Sequence, residues 1–168
     1  MIRVLGIAAA SVLLTGCQLQ PLYAGGSGGQ VATTLSSVSV APIQGRVGWL
    51  VHNELKERLA AAESGEARYR LDVELDDNIT GLGIRGDRAV TRERRSLRAR
   101  YRLVDLGTGQ VVLDATAGSD AGIDVVSSEY ATVAAEQTAL ERLADEIADQ
   151  IVSRLALYAA RTGDGEAQ

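Results

Sequence analysis

A chain of 168 residues is one domain by length and large enough to bury a core of its own. Its 22 acidic residues outweigh 17 basic ones, a net charge of −5, which argues against general nucleic-acid binding because that needs a basic footprint. One cysteine and one histidine exclude an internal disulfide and a zinc site built from several such ligands.

The chain opens with Arg3, an apolar run from Val4 to Leu14, and Leu13-Leu14-Thr15-Gly16-Cys17. That is the three-part layout of a secretory signal. The run is shorter than the roughly 20 apolar residues that span a bilayer as a helix. Its ending resembles the bacterial lipobox: an aliphatic residue, small residues, then a thiol that takes diacylglycerol. Residues 1–16 are therefore expected to leave as a lipoprotein signal peptide, and Cys17 to carry S-diacylglycerol and N-acyl chains. Arg3 leaves with the signal, so 16 basic residues then face 22 acidic ones, a net −6. Residues 17–34 are expected to form a lipidated N-terminus and a tether, because Ala24-Gly25-Gly26-Ser27-Gly28-Gly29 cannot bury enough surface to fold. Gln18 stands where enteric bacteria place an inner-membrane retention aspartate, so sorting to the outer membrane is expected.

The folded part is expected over residues 35–162, with 163–168 as a tail. Leu35 to Ile43 alternates and ends at Pro42, which predicts a first strand near a sheet edge. Gly45 to about Ala62 places Val47, Leu50, Val51, Leu55 and Leu59 on one stripe, the mark of an amphipathic helix. Tyr69, Leu71, Val73 and Leu75 alternate with Arg70, Asp72, Glu74 and Asp76, predicting a strand with one wet face. Gly81, Gly83 and Gly86 predict a turn, and Val90 to Val104 a third strand. Asp105 to Gln110 is a hairpin turn, and Val111, Leu113 and Ala115 begin a last strand. A long helix runs from Ser127 or Ser128 to about Arg161, with Val133, Leu140, Leu143, Ala144, Ile147, Ile151, Leu155 and Tyr158 on its apolar side. The expected fold is α/β (α+β): a two-layer sandwich, order β-α-β-β-β-α, with two helices packed on one face of a four-stranded sheet.

Catalytic chemistry is hard to find. His52 has no local nucleophile or carboxylate and reads as a surface or boundary residue. The glycines at 81, 83 and 86 follow a strand but open no helix, so they are not a dinucleotide loop. Asp76 and Asp77 are adjacent and point to opposite faces of a strand. No enzyme, metal or cofactor is expected. The informative polar feature is the run Arg92, Arg94, Arg98, Arg100 and Arg102 on one face of the third strand, which could grip phosphates. Asp72, Glu74 and Asp76 should share that face and neutralise much of it. Arg92 and Arg94, beyond those acids, and Arg85 and Arg88 in the turn remain as candidate contacts to an anionic head group.

The arrangement is similar to the LPS-assembly lipoprotein LptE family in its alphaproteobacterial form. The residues that carry the resemblance are Cys17 with Gln20-Pro21-Leu22-Tyr23, Pro42-Ile43 leading into Gly45-Arg46-Val47-Gly48, and Asn53-Glu54-Leu55. They continue with Tyr69-Arg70-Leu71-Asp72-Val73, Tyr101-Arg102-Leu103-Val104-Asp105, Thr108-Gly109, Ser128-Glu129-Tyr130-Ala131, Ala134-Ala135-Glu136 and Asp149-Gln150-Ile151. The glycine-rich tether after Tyr23 departs from the pattern. The resemblance implies a lipid-anchored protein of the outer membrane, facing the periplasm within the lumen of the β-barrel LptD. There it would plug the barrel, assist its assembly and help deliver lipopolysaccharide, with LptD and lipopolysaccharide as partners and no covalent chemistry. An auxiliary lipoprotein of an ABC or MCE-type lipid transporter is the alternative.

Overall fold

The computed structural model describes residues 29–59, 67–84 and 90–166. In chain order they form α1 (Gln30–Ser36), β1 (Val38–Val40), α2 (Gly45–Leu59), β2 (Tyr69–Ile84), β3 (Val90–Asp105), β4 (Val111–Asp124) and α3 (Glu129–Glu166). The four strands make one sheet in the order β1-β2-β3-β4, with β1 parallel to β2 and the other pairs antiparallel. The α+β sandwich read from the sequence is therefore present, with one helix more than expected.

That helix is a correction. Leu35 to Ser37 reads as alternating strand, yet the strand begins only at Val38. Thr33 Oγ1 donates to the Gly29 carbonyl at 3.2 Å and Ser36 Oγ to that of Thr33 at 2.6 Å, so the small hydroxyl residues bond back along the helix. Leu35 is buried in the common core, and α1 packs on α3. Burial of one leucine against a long helix outweighs a weak period-two pattern.

β2 and β3 pair without interruption from Tyr69↔Asp105 to Leu82↔Arg92. The strands run further than expected: Gly81 lies inside β2, and what was read as the turn contributes strand up to Ile84. At the other end, Asp105 Oδ1 accepts from the backbone N–H of Gly107 at 2.8 Å and Thr108 at 3.0 Å. Gly109 closes the turn at φ +70°, where a side chain would be strained.

Odd-numbered residues of β2 and β3 face the helices. Leu71, Leu97, Ala99, Tyr101 and Leu103 meet Val51, Leu55 and Leu59 of α2 and Leu143, Ile147, Ile151 and Leu155 of α3 in one core. Tyr158 is half-buried and sets its ring edge-on to Tyr69, centroids 6.4 Å apart. Arg58 ties the helices together, bonding Glu54 at 2.5 Å on its own helix, Asp149 at 2.7 Å on α3, and Asp145. α3 starts where its sequence suggests: Ser128 Oγ accepts from the N–H of Ala131 at 3.4 Å, and Glu129 occupies the first turn. Val133, placed on the buried stripe by periodicity, is 56% exposed and lines an open groove beside Ile79 and Arg95 of the sheet.

Candidate functional site

The face of the sheet turned away from the helices is polar and uncovered by any described helix. Period-two geometry places six arginines on it: Arg70, Arg92, Arg94, Arg98, Arg100 and Arg102. Six carboxylates share it: Asp72, Glu74 and Asp76 from β2, and Asp114, Asp120 and Asp124 from β4. The ladder is charge-balanced.

The acids share the face that the sequence suggests, and the register puts Asp72, Glu74 and Asp76 directly opposite Arg102, Arg100 and Arg98. The contacts then divide between both neighbours. Arg102 reaches diagonally to Glu74 at 2.9 Å, while Arg100 and Arg98 turn to Asp114 and Asp120 of β4, each at 2.9 Å. Gly118 makes room for this, since a Cβ there would come within 2.7 Å of the Arg98 Cδ. The acids of β4 were not anticipated, although Asp114, Asp120 and Asp124 share one parity in the sequence. They also correct one expectation: Arg92 lies beyond the acids of β2 but pairs with Asp124 at 3.0 Å. Arg94 is opposed by Thr80 and Gly122, neither of them acidic, and makes no ion pair among the described residues. These pairs are exposed and screened by water, so the ladder sets register and solubility more than stability.

Arg100, by its hydrogen bonds, holds the Asp114 carboxyl below the usual carboxylate range. Ser96, at 2.5 Å, and then Arg98 do the same for Asp120. A folded-state pKa below the unfolded value of about 3.9 means stability that is present above that pH and lost as pH falls through the folded pKa. Carboxyl NMR titration is expected to find both groups low. Arg100→Ala should return Asp114 to the ordinary range while Asp120 stays depressed; an unmoved Asp114 would show that Arg100 is not the cause.

The helix-facing side holds the functional-looking residue that sequence reasoning missed. Arg95 has the parity of the core and is 9% exposed. It grips Asp77 with two hydrogen bonds, of 2.8 and 2.6 Å, and donates a third to the Glu136 carbonyl of α3 at 3.1 Å. The signal was the run Arg92-Glu93-Arg94-Arg95, which breaks the alternation. Above this pair, between the first turns of α2 and α3, lies an open groove of about 510 Å³ lined by Arg46, Val47, Ile79, Arg95, Tyr130 and Val133. Tyr130 is 85% exposed there, and Trp49 is also exposed on α2. His52 is half-buried on α2. Cys17, Arg85 and Arg88 lie outside the described residues.

The model of the LptE family, "Lipopolysaccharide-assembly", matches residues 35–155. This chain belongs to the LptE family. The match spans the sandwich from Leu35 of α1 to Leu155 of α3. LptE proteins are non-enzymatic lipoproteins of lipopolysaccharide transport and outer-membrane assembly. Among solved structures, a protein of Caulobacter crescentus CB15 described as a lipoprotein is 28% identical, with a TM-score of 0.65 over 77% of this chain and 96% of that one. The minor lipoprotein of Acinetobacter baumannii shares the fold at 16% identity and TM-score 0.57, covering 72% of this chain and 89% of that one. Rare lipoprotein B of Shewanella oneidensis does so at 12% and 0.53, covering 78% and 97%. No curated protein sequence matches. No described helix is long and apolar enough to cross a membrane.

Proposed function

We propose that this LptE-family chain is held at the periplasmic side of the outer membrane by acyl chains on Cys17, where it plugs the LptD β-barrel, assists its assembly and helps lipopolysaccharide reach the outer leaflet. The observation that carries this reading is the family match over residues 35–155, which takes in all four strands and α2. The site chemistry supports it. A charge-balanced sheet face suits a polar lumen, since it brings no large single-sign field with it. Arg94 is the ladder cation without an ion pair among the described residues, and Arg92 is held only by an exposed pair that a phosphate can displace. Arg85 and Arg88 belong to the same candidate set. No step of the proposed function requires a catalytic residue or a cofactor.

Purification through a C-terminal tag is expected to bring down a large β-barrel with lipopolysaccharide. A permease complex in its place would assign the chain to an ABC or MCE-type transporter. Arg92→Glu with Arg94→Glu should lower lipopolysaccharide retention; unchanged retention and barrel co-purification would remove both arginines from the site. Cys17→Ala should abolish acylation and release the chain from the membrane fraction of cells lacking the barrel. Persistent anchoring there would refute the lipid attachment.

A further inference from the structure

The two edges of the sheet are treated differently. At the β4 edge, Gly118 turns its backbone outward, and the Gln150 side chain of α3 meets both groups: Gly118 N–H donates to Oε1 at 3.1 Å, and Nε2 donates to the Gly118 carbonyl at 3.2 Å. A side-chain amide thus occupies the place of a neighbouring strand and closes the middle of that edge. At the other edge β1 is only three residues long and pairs β2 at Tyr69 to Leu71. Ala41 N–H makes the last bond, to the Leu71 carbonyl at 3.0 Å, and Pro42, with no N–H, follows.

The phase of the ladder shows which backbone groups are left. The Arg68 carbonyl accepts from Leu106 N–H at 2.9 Å on the β3 side, although its N–H, just before the strand, donates to the Ser37 carbonyl at 2.9 Å. Within the strand, Tyr69 N–H and the Leu71 carbonyl bond outward to the β1 side. The β2–β3 register carries no bulge, so this alternation continues. Val73, Leu75, Asp77, Ile79 and Gly81 therefore point their N–H and C=O groups out of the sheet, and no described residue pairs with them.

We infer that the β2 edge from Val73 to Gly81 is a strand-addition site for an extended segment of another polypeptide, one that alternates apolar with basic side chains. A row of outward donors and acceptors at strand spacing is complementary to extended backbone. Side chains along the edge set the alternation. Toward the open face stand Glu74, 70% exposed at its side chain, and Asp76, which makes no ion pair among the described residues. Toward the helices stand Leu75 and Ile79, the latter 40% exposed beside Val47 in the groove. Basic residues of an added strand meet the first set, and apolar residues extend the second. A second copy of this chain is a poor occupant, because pairing β2 with itself sets Glu74 and Asp76 against carboxylates. The inference stands apart from lipopolysaccharide binding.

A twelve-residue peptide alternating lysine with valine is the probe, titrated against the isotopically labelled full-length chain in detergent micelles. Amide shifts are expected at residues 72–82. Methylating alternate backbone nitrogens of the peptide, in each of the two phases, should weaken binding at least tenfold in one phase and not in the other. Ile79→Pro removes one outward N–H without disturbing the β3 ladder and should weaken binding by a similar factor. If Ile79→Pro fails to fold, the methylated peptides against the unaltered chain decide alone. Shifts confined to β4, equal binding of parent and both methylated peptides, or equal binding of a glutamate-for-lysine peptide would overturn the inference.

Discussion

Asp77→Ala is expected to destabilise the fold by about 2–4 kcal/mol, with Arg95→Leu costing clearly less. Removing one partner of a buried ion pair strands the other, at about 3–5 kcal/mol when burial is complete. Arg95 is nearly so, its side chain 10% exposed, while Asp77 at 21% keeps some contact with water, which lowers the figure. Without Asp77 the guanidinium keeps only the Glu136 carbonyl, one hydrogen bond of three. Leucine in place of Arg95 removes the charge and leaves Asp77 able to hydrate. The double variant should therefore be no less stable than Asp77→Ala alone, a non-additivity that a double-mutant cycle in urea reads directly. At about 2–4 °C per kcal/mol for a domain of this size, Asp77→Ala should melt roughly 5–15 °C lower. Amide exchange should rise over the first turns of α3, which Arg95 ties to the sheet. A loss below about 1 kcal/mol would mean that the pair is not what holds α3 down there.

Leu143→Ala should cost about 3–4 kcal/mol, whereas Val133→Ala, ten residues earlier on the same helix, should cost under about 0.5 kcal/mol. Leu143 has no exposed surface and packs among the residues of the central core. Its truncation loses the transfer free energy of the removed carbons and leaves a cavity that the sheet and α2 can only partly close. Val133 is exposed, so its truncation removes almost no packing. Denaturant unfolding of the two variants compares them directly. Similar losses would mean that the start of α3 is packed in solution against something it does not touch in this fold.

Periodicity assigned most side chains to a face correctly, because face is a local property. Once a backbone is extended or helical, successive side chains take their directions from the pleat or the turn, and nothing distant is needed. The acids of β2 and the arginines of β3 were read onto one face and stand there in direct register. The Asp105–Gln110 turn was equally legible, since an aspartate that caps neighbouring N–H groups and a glycine at positive φ are chemical requirements of the turn itself. Where the rule was applied to Val133 it failed, because whether a stripe is buried depends on what packs against it, and Val133 faces an open groove.

By itself, then, the sequence determined the α+β class, the faces of the long strands, the main turn and the resemblance to LptE that the family match bears out. Tertiary structure alone decided who pairs with whom. Arg98 and Arg100 prefer acids of β4 to those of β2, Arg92 is taken by Asp124, and Arg95 leaves the ladder for a buried partner. It also decided that Gln150 closes one edge of the sheet while β1 stops after three residues at the other. These are relations between residues 14 to 32 positions apart. They follow from strand order, register and the path of α3, which emerge only when the whole core closes, so no local pattern can encode them.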